Sequence, residues 1–161
     1  MEFKNLLLQY LEKDSRLSYE QLALMLDKDE GDIKKAIEEF EKEKVIVGYK
    51  TLIDWDKTDR EYVTALIELK IIPQRDRGFD GIAKKICNYP EVQNLYLMSG
   101  SYDLSVLIEG KTMREVALFV AEKLAPMEQV QSTSTHFVLK KYKDKGEIYD
   151  FTVKDERRNL N

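Results

Sequence analysis

The sequence predicts an α+β protein in which helices come first and strands follow. Two observations carry that prediction. Up to about Lys44 the apolar residues recur at helical spacing, whereas from Tyr62 onward they alternate in β-branched runs broken by two helical stretches. The polar, turn-rich Trp55-Asp-Lys-Thr-Asp-Arg-Glu61 separates the two patterns. Residues 1–54 and 62–143 are therefore expected to form separate domains, with 55–61 as linker and 144–161 as a polar tail.

In the N-terminal part, Phe3, Leu6, Leu7, Tyr10 and Leu11 share one face of a first helix. Ser18 and Gln21 then stand at capping-box spacing for a short second helix carrying Leu22, Met25 and Leu26. Asp29 opens a third, in which Ile33, Ile37 and Phe40 make one inward stripe and Lys34, Lys35, Glu38, Glu39 and Glu41 remain outside. The runs Val45-Ile-Val47 and Thr51-Leu-Ile53, with Gly48-Tyr49 between them, read as a short β-hairpin. Together these elements spell a helix-turn-helix followed by a wing.

The C-terminal part has a different order. Tyr62 to Ile72 is a strand stopped by Pro73, and Ile82, Ala83 and Ile86 mark a helix ending before Tyr89-Pro90. Val92–Met98 and Asp103–Glu109 make a strand pair. A second capping box, Thr112 to Glu115, opens a helix with Met113, Val116, Ala117, Val120 and Leu124 inward, and Thr133, Thr135, Phe137 and Leu139 alternate along a last strand. The order β-α-β-β-α-β is the ferredoxin-like, split βαβ arrangement. Beyond Asp144 only Ile148, Tyr149 and Phe151 are expected to dock.

Composition narrows the class of protein. A chain with 35% charged residues and no apolar stretch near the roughly 20 residues needed to span a bilayer is expected to be soluble, with no membrane partner. The start Met1-Glu-Phe-Lys-Asn-Leu lacks signal-peptide features, and a single cysteine, Cys87, excludes an internal disulfide; a cytoplasmic location and a packed thiol are expected. The net charge of -4 is uneven: residues 1–60 carry 11 Lys/Arg against 15 Asp/Glu, and residues 61–161 carry 15 of each.

The stretch that carries chemistry is Tyr96-Leu-Met-Ser-Gly-Ser-Tyr-Asp-Leu-Ser-Val-Leu-Ile108. A carboxylate at the mouth of a strand, beside a glycine and hydroxyls, suits a ligand ammonium, and the free N–H groups of the turn suit a ligand carboxylate. An amino acid fits that description, although an ordinary hairpin turn capped by Asp103 accounts for the same residues. No catalytic, metal or cofactor motif is found: His136 is the only histidine and has no cluster at ligand spacing, and Gly78-Phe-Asp-Gly81 fits no phosphate loop. The lysines at 140, 141, 143 and 145 read as a solvated strand end.

The chain resembles the Lrp/AsnC (feast/famine) family of prokaryotic transcription regulators over nearly its whole length. The resemblance is carried by Leu17-Ser18, Leu22-Ala23, Ile33, Ile37, Phe40-Glu41, Val45-Ile46 and Gly48-Tyr49 in the winged helix-turn-helix. In the ligand-binding RAM domain it is carried by Pro90-Glu-Val92, Ser99-Gly-Ser-Tyr-Asp103 and Thr133-Ser-Thr135. It implies a homodimer that assembles further to octamers, binds DNA through paired helix-turn-helix units, and takes an amino acid or related effector at Gly100, Tyr102, Asp103, Thr133 and Thr135. On that reading Asp103→Ala should abolish the ligand response and leave the fold intact. Relatives of this architecture include haem-pathway decarboxylases, but their histidine-containing motif is not found around His136, so no enzyme activity is expected.

The DNA-reading segment departs from the family. It begins Asp29-Glu-Gly-Asp32, the family's loop glycine before Val45 is Lys44, and no arginine lies between Arg16 and Arg60. Since each phosphate neutralised contributes a salt slope of roughly 0.9, attraction would rest on Lys34, Lys35, Lys42, Lys44 and Lys50. Sequence-specific but weak, salt-sensitive DNA binding is one expectation. The other is a ligand-sensing or protein-interaction assembly that has lost DNA binding, and acids at the positive end of a helix dipole need no DNA to explain them.

Overall fold

A computed structural model of the chain describes residues 2–73 and 78–149. The chain forms two compact units, Met1–Ile53 and Asp54–Asn161. The first is built on helices α1 (Glu2–Lys13), α2 (Tyr19–Leu26) and α3 (Glu30–Lys42). Its core is Leu7 and Leu11 from α1, Leu22 and Ala23 from α2, and Ile33, Ala36, Ile37 and Phe40 from α3. Leu7 and Leu11 stand one turn apart and define the inward stripe of α1, so Leu6, beside Leu7 on the helix circumference, is exposed; Met25 of α2 is likewise outside.

The expected capping box forms at α2. Ser18 Oγ accepts from Gln21 N–H at 3.1 Å and Gln21 Oε1 accepts from Ser18 N–H at 2.9 Å. The turn into α3 passes through Asp27 at φ 52°, a left-handed conformation that Asp tolerates better than most residues. The far end of α3 closes as a Schellman motif, with Val45 N–H on Phe40 O at 2.8 Å and Lys44 N–H on Glu41 O at 3.2 Å. That closure holds Lys44 at φ 59°. Left-handed backbone costs a residue with a side chain about 1–2 kcal/mol, which gives a physical reason for a glycine at this position.

The expected wing hairpin does not form: no strand lies between Val45 and Ile53. A two-stranded hairpin with no third strand beside it is marginally stable at best. Ile46 packs on the helical core instead, and Tyr49 Oη donates to Glu41 Oε1 at 2.9 Å.

The second unit opens with a short 3₁₀ turn at Trp55–Lys57. It continues as β1 (Val63–Ile71), α4 (Asp80–Cys87), β2 (Val92–Leu97), β3 (Leu104–Gly110), α5 (Met113–Phe119, running on as a π-helical turn through Val120–Leu124) and β4 (Val130–Phe137). The sheet order is β2-β3-β1-β4 with every neighbour antiparallel, as the β-α-β-β-α-β order predicts. Ala65, Ile67, Leu69 and Ile71 of β1 and Leu104, Val106 and Ile108 of β3 face one side, where Ile82 and Ile86 of α4 and Val116, Phe119, Val120 and Leu124 of the second helix cover them.

Several inward assignments shift. Met113 and Ala117 are exposed and Phe119 is buried, because the inward stripe runs through 116, 119, 120 and 124. Thr112 Oγ1 caps Glu115 N–H at 3.1 Å, but Glu115 Oε2 accepts from Lys111 N–H at 2.6 Å, not from Thr112. Cys87 is exposed, since α4 buries Ile82 and Ile86 and the next position turns outward. After β4 the chain forms a small hairpin, β5 (Lys143–Asp144) with β6 (Glu147–Ile148). Its turn, Lys145-Gly146, has φ of 50° and 90°, as a primed turn requires. Ile148 is exposed, Tyr149 is half-buried, and Phe151 lies outside the described residues.

Candidate functional site

The turn between β2 and β3 is closed by Met98 N–H donating to Asp103 O at 2.8 Å. Gly100 takes φ 150° with open space around it, so it serves backbone conformation and no close approach. Asp103 does more than end the turn. Its N–H donates to Leu69 O at 2.9 Å. Its Oδ2 accepts from Ile71 N–H at 2.8 Å, and its Oδ1 lies 3.2 Å from Lys70 Nζ. The β1–β4 register shifts between Lys70 and Ile71, and the carboxylate supplies the acceptor for Ile71 N–H at that irregularity. The Ile71 N–H holds the Asp103 carboxyl below the usual aspartate range, against the opposing effect of burial and with further help from Lys70.

The structure thus gathers Gly100, a half-buried Tyr102 and Asp103 at one end of the sheet. Thr133 pairs with Leu69, across β1 from Leu104, and so reaches the same end; Thr135 pairs with Ile67 one row further in. Both threonines lie in the rows that face the helices, and both are half-buried. Sequence reading missed Lys70 and the Ile71 amide. The signal was the adjacent pair Ile71-Ile72, which breaks the strict alternation of β1 and is typical of a bulge.

Asp103→Ala would therefore strip Ile71 N–H of its acceptor, which corrects the expectation that this change leaves the fold untouched.

The second candidate surface is the outer side of α3. Lys34, Lys35 and Lys42 stand exposed on it, Lys44 sits in the Schellman turn, and Lys50 is exposed beyond. Lys34 Nζ lies 3.9 Å from Glu38 Oε1. Glu39 hydrogen-bonds Lys4, and that bond, the charge of Lys4 and, further off, Lys35 hold its carboxyl below the ordinary glutamate range. Part of the positive charge near α3 is thus neutralised within the unit itself. On the sheet, His136 Nε2 lies 3.1 Å from Glu68 Oε2 and 3.2 Å from Ser134 Oγ. No group of three or more His, Cys, Asp or Glu side chains able to hold a metal ion exists among the described residues. No helix among them is long and apolar enough to cross a membrane.

Comparison with known proteins settles the family. The family model described as the Lrp/AsnC ligand binding domain matches residues 64–148. The chain belongs to the Lrp/AsnC family. It is 46% identical to the uncharacterised HTH-type transcriptional regulator YugG of Bacillus subtilis, across 94% of this chain and 92% of that one. Among solved Lrp/AsnC folds, the leucine response regulatory protein LrpA of Mycobacterium tuberculosis superposes with a TM-score of 0.76 at 16% identity, over 91% of this chain and 97% of that one. The transcriptional regulator NMB0573 of Neisseria meningitidis, solved as a complex with L-Met, superposes with a TM-score of 0.72 at 21% identity, over 89% and 92%.

Proposed function

We propose that the protein is an effector-responsive transcription regulator of the Lrp/AsnC type, binding DNA through α3 and its flanks and an amino acid at the Asp103 end of the sheet. The observation that carries the effector assignment is Asp103 itself: a carboxylate kept ionised and fixed in place by a strand amide, with Lys70 Nζ at 3.2 Å. An effector ammonium takes the position of Lys70 Nζ, and the exposed turn at Gly100 presents backbone N–H groups to the effector carboxylate. The L-Met complex of the Neisseria relative supports an amino acid as the ligand class. Homodimers that assemble further, and a cytoplasmic location, go with this reading.

On the DNA side, Lys35, Lys42, Lys44 and Lys50 supply phosphate contacts and Lys34 adds one when Glu38 releases it. The acidic start of α3 subtracts from them, so affinity is low and falls steeply with salt. DNA-coupled sensing requires that the effector bind the two assemblies with different affinity, since only that difference can shift the equilibrium.

The test is retention of the DNA upstream of the protein's own gene, from low to physiological salt, with and without the twenty amino acids. Asp103→Asn, which keeps an oxygen for Ile71 N–H and removes the charge, should lose the amino-acid response; an unaltered response would sink the Asp103 assignment. A second reading is favoured by the ion pairs on α3: a ligand-sensing assembly that presents an acidic helical face to a protein and no longer binds DNA. Absence of specific retention at the lowest salt selects it.

A further inference from the structure

Asp103 divides its two oxygens between a fixed partner and a removable one. Oδ2 accepts from Ile71 N–H at 2.8 Å, an amide held in place by its strand, whereas Oδ1 has Lys70 Nζ at 3.2 Å. Ala65, Ile67 and Leu69 of β1 point into the core, so the alternate row carrying Glu68 and Lys70 lies on the face that the helices leave uncovered. The Lys70 side chain is 38% exposed and that of Asp103 19%. An ion pair this open to water, with its cation on a flexible four-carbon stem, exchanges partners readily. A competing ammonium loses no more than about fivefold in affinity by displacing it.

Once displaced, Lys70 finds no second acid waiting beside it. Glu68, two residues earlier on the same face, is taken by His136 Nε2 at 3.1 Å. Ser132, which pairs with Lys70, and Ser134, which pairs with Glu68, carry no charge, and neither does Ser105 on the β3 side. The released ammonium therefore stays near Asp103 without an ion-pair partner among these neighbours. A ligand that brings only an ammonium leaves it so. A ligand with a carboxylate on the same carbon as its ammonium supplies the missing partner.

We propose that Lys70 is a selectivity residue of the effector site: a resident counter-ion that a ligand ammonium displaces from Asp103 and that then pairs with the ligand carboxylate, so that the site discriminates against amines of the same side chain. The inference rests on the Asp103 reading given above and adds to it how that site tells its ligand from a near relative. Binding is then an exchange of ion pairs. The Asp103–Lys70 pair is replaced by two, Asp103 with the ligand ammonium and Lys70 with the ligand carboxylate, the latter joining the turn amides. An amine makes the first and forfeits the second. Because these groups are open to solvent, the preference that Lys70 confers is about three- to fivefold and weakens as salt rises.

The test is calorimetric titration of the full chain with the tightest-binding of the twenty amino acids and with the amine that lacks only its carboxylate: 3-(methylthio)propylamine for L-methionine, 3-methylbutylamine for L-leucine. In Lys70→Met the amine should bind at least about threefold more tightly than to wild type while the amino acid changes by less than about twofold. The preference for the amino acid thus falls, and Lys70→Arg should keep it. Lys70→Gln serves if Lys70→Met fails to fold. A merely structural role for Lys70 would shift both ligands alike and leave their ratio unchanged. No gain of amine binding in the neutral variants, or an equal change for amine and amino acid, overturns the inference; if Asp103→Asn loses amino-acid binding at the same time, the Asp103 site stands without it. Undiminished amino-acid binding in Asp103→Asn, or a wild type that binds none of the twenty, overturns the Asp103 reading and this inference together.

Discussion

The carboxylates that matter most in the two units are held in different ways. In Met1–Ile53 charged side chains meet one another at the surface, Lys4 with Glu39 and Lys34 with Glu38, and Asp14 alone among these carboxylates also accepts from a backbone N–H, that of Arg16. In Asp54–Asn161 key polar groups are fastened to backbone at the ends of a sheet: Asp103 to Ile71 N–H, Glu115 to Lys111 N–H. Exposed pairs contribute little and are screened by salt, whereas a carboxylate that satisfies a strand amide acts through position. The helical unit is thus set up to respond to a field, and the sheet unit to a shape. Variants should separate along that line: geometric changes in the sheet unit are large and indifferent to salt, while charge changes in the helical unit are small in stability and visible mainly against salt.

The largest effect is expected from Asp103→Ala. Removing the acceptor leaves Ile71 N–H without a partner, at a cost of about 1–3 kcal/mol, and Asp103→Asn should cost clearly less. Urea denaturation at pH 7 measures both. Because the folded protein holds the Asp103 carboxyl below its ordinary value, the charged brace contributes above the unfolded pKa of about 4 and is lost as pH falls through the lower folded value. The gap between wild type and Asp103→Asn should therefore be constant from pH 7 to 5 and shrink below about pH 4. A gap that does not change down to pH 2.5 would show that the carboxyl charge contributes nothing to the fold. Repeating the pH 7 measurement in 1 M salt should change the penalty of Asp103→Ala little.

Next is Ser18→Ala, which opens the capping box of α2 and should cost about 1 kcal/mol. This is a geometric brace inside the helical unit, and it tests whether the contrast belongs to the units or to the kind of bond. A loss of similar size in low and high salt places it with Asp103; a loss that disappears in 1 M salt would break the comparison.

How much of this was legible follows from the range of the interactions. The capping box at Ser18, the core stripe of α3 and the β-α-β-β-α-β order each depend on spacings within one element, and sequence carries such spacings directly. Asp103 was found as a candidate from its glycine-rich turn, but its partner lies 32 residues earlier in the chain, and local pattern does not specify a contact of that separation. The wing failed for the converse reason. Val45-Ile-Val47 has strand composition, yet with no neighbouring strand to pair with, the Schellman closure and the Tyr49–Glu41 bond decide its path.

Lys44→Gly should gain roughly 0.5–1 kcal/mol, the relief of a left-handed side-chain residue less the extra freedom glycine has in the unfolded chain. The same change removes one of the lysines proposed to meet phosphate. It should therefore raise the melting temperature while lowering the slope of log binding constant against log salt by up to about 0.9. Stability and DNA binding moving in the same direction would mean that Lys44 does not act through a phosphate.

The smallest change in stability, and the sharpest use of the contrast, belongs to Glu38→Gln. Its partner Lys34 lies 3.9 Å away with both side chains about 60% exposed (60% and 62%), so the fold should lose no more than about 0.5 kcal/mol. If α3 meets DNA, however, the loss of the anion leaves Lys34 available to a phosphate, and binding should tighten at low salt with a slope steeper by up to about 0.9. If α3 serves a protein partner, the same variant weakens that contact and DNA retention stays absent at every salt concentration. One exposed carboxylate, nearly silent in the folding equilibrium, thus reports which polymer the helical unit faces, because the energy of an exposed charge lies in the partner's field more than in its own fold.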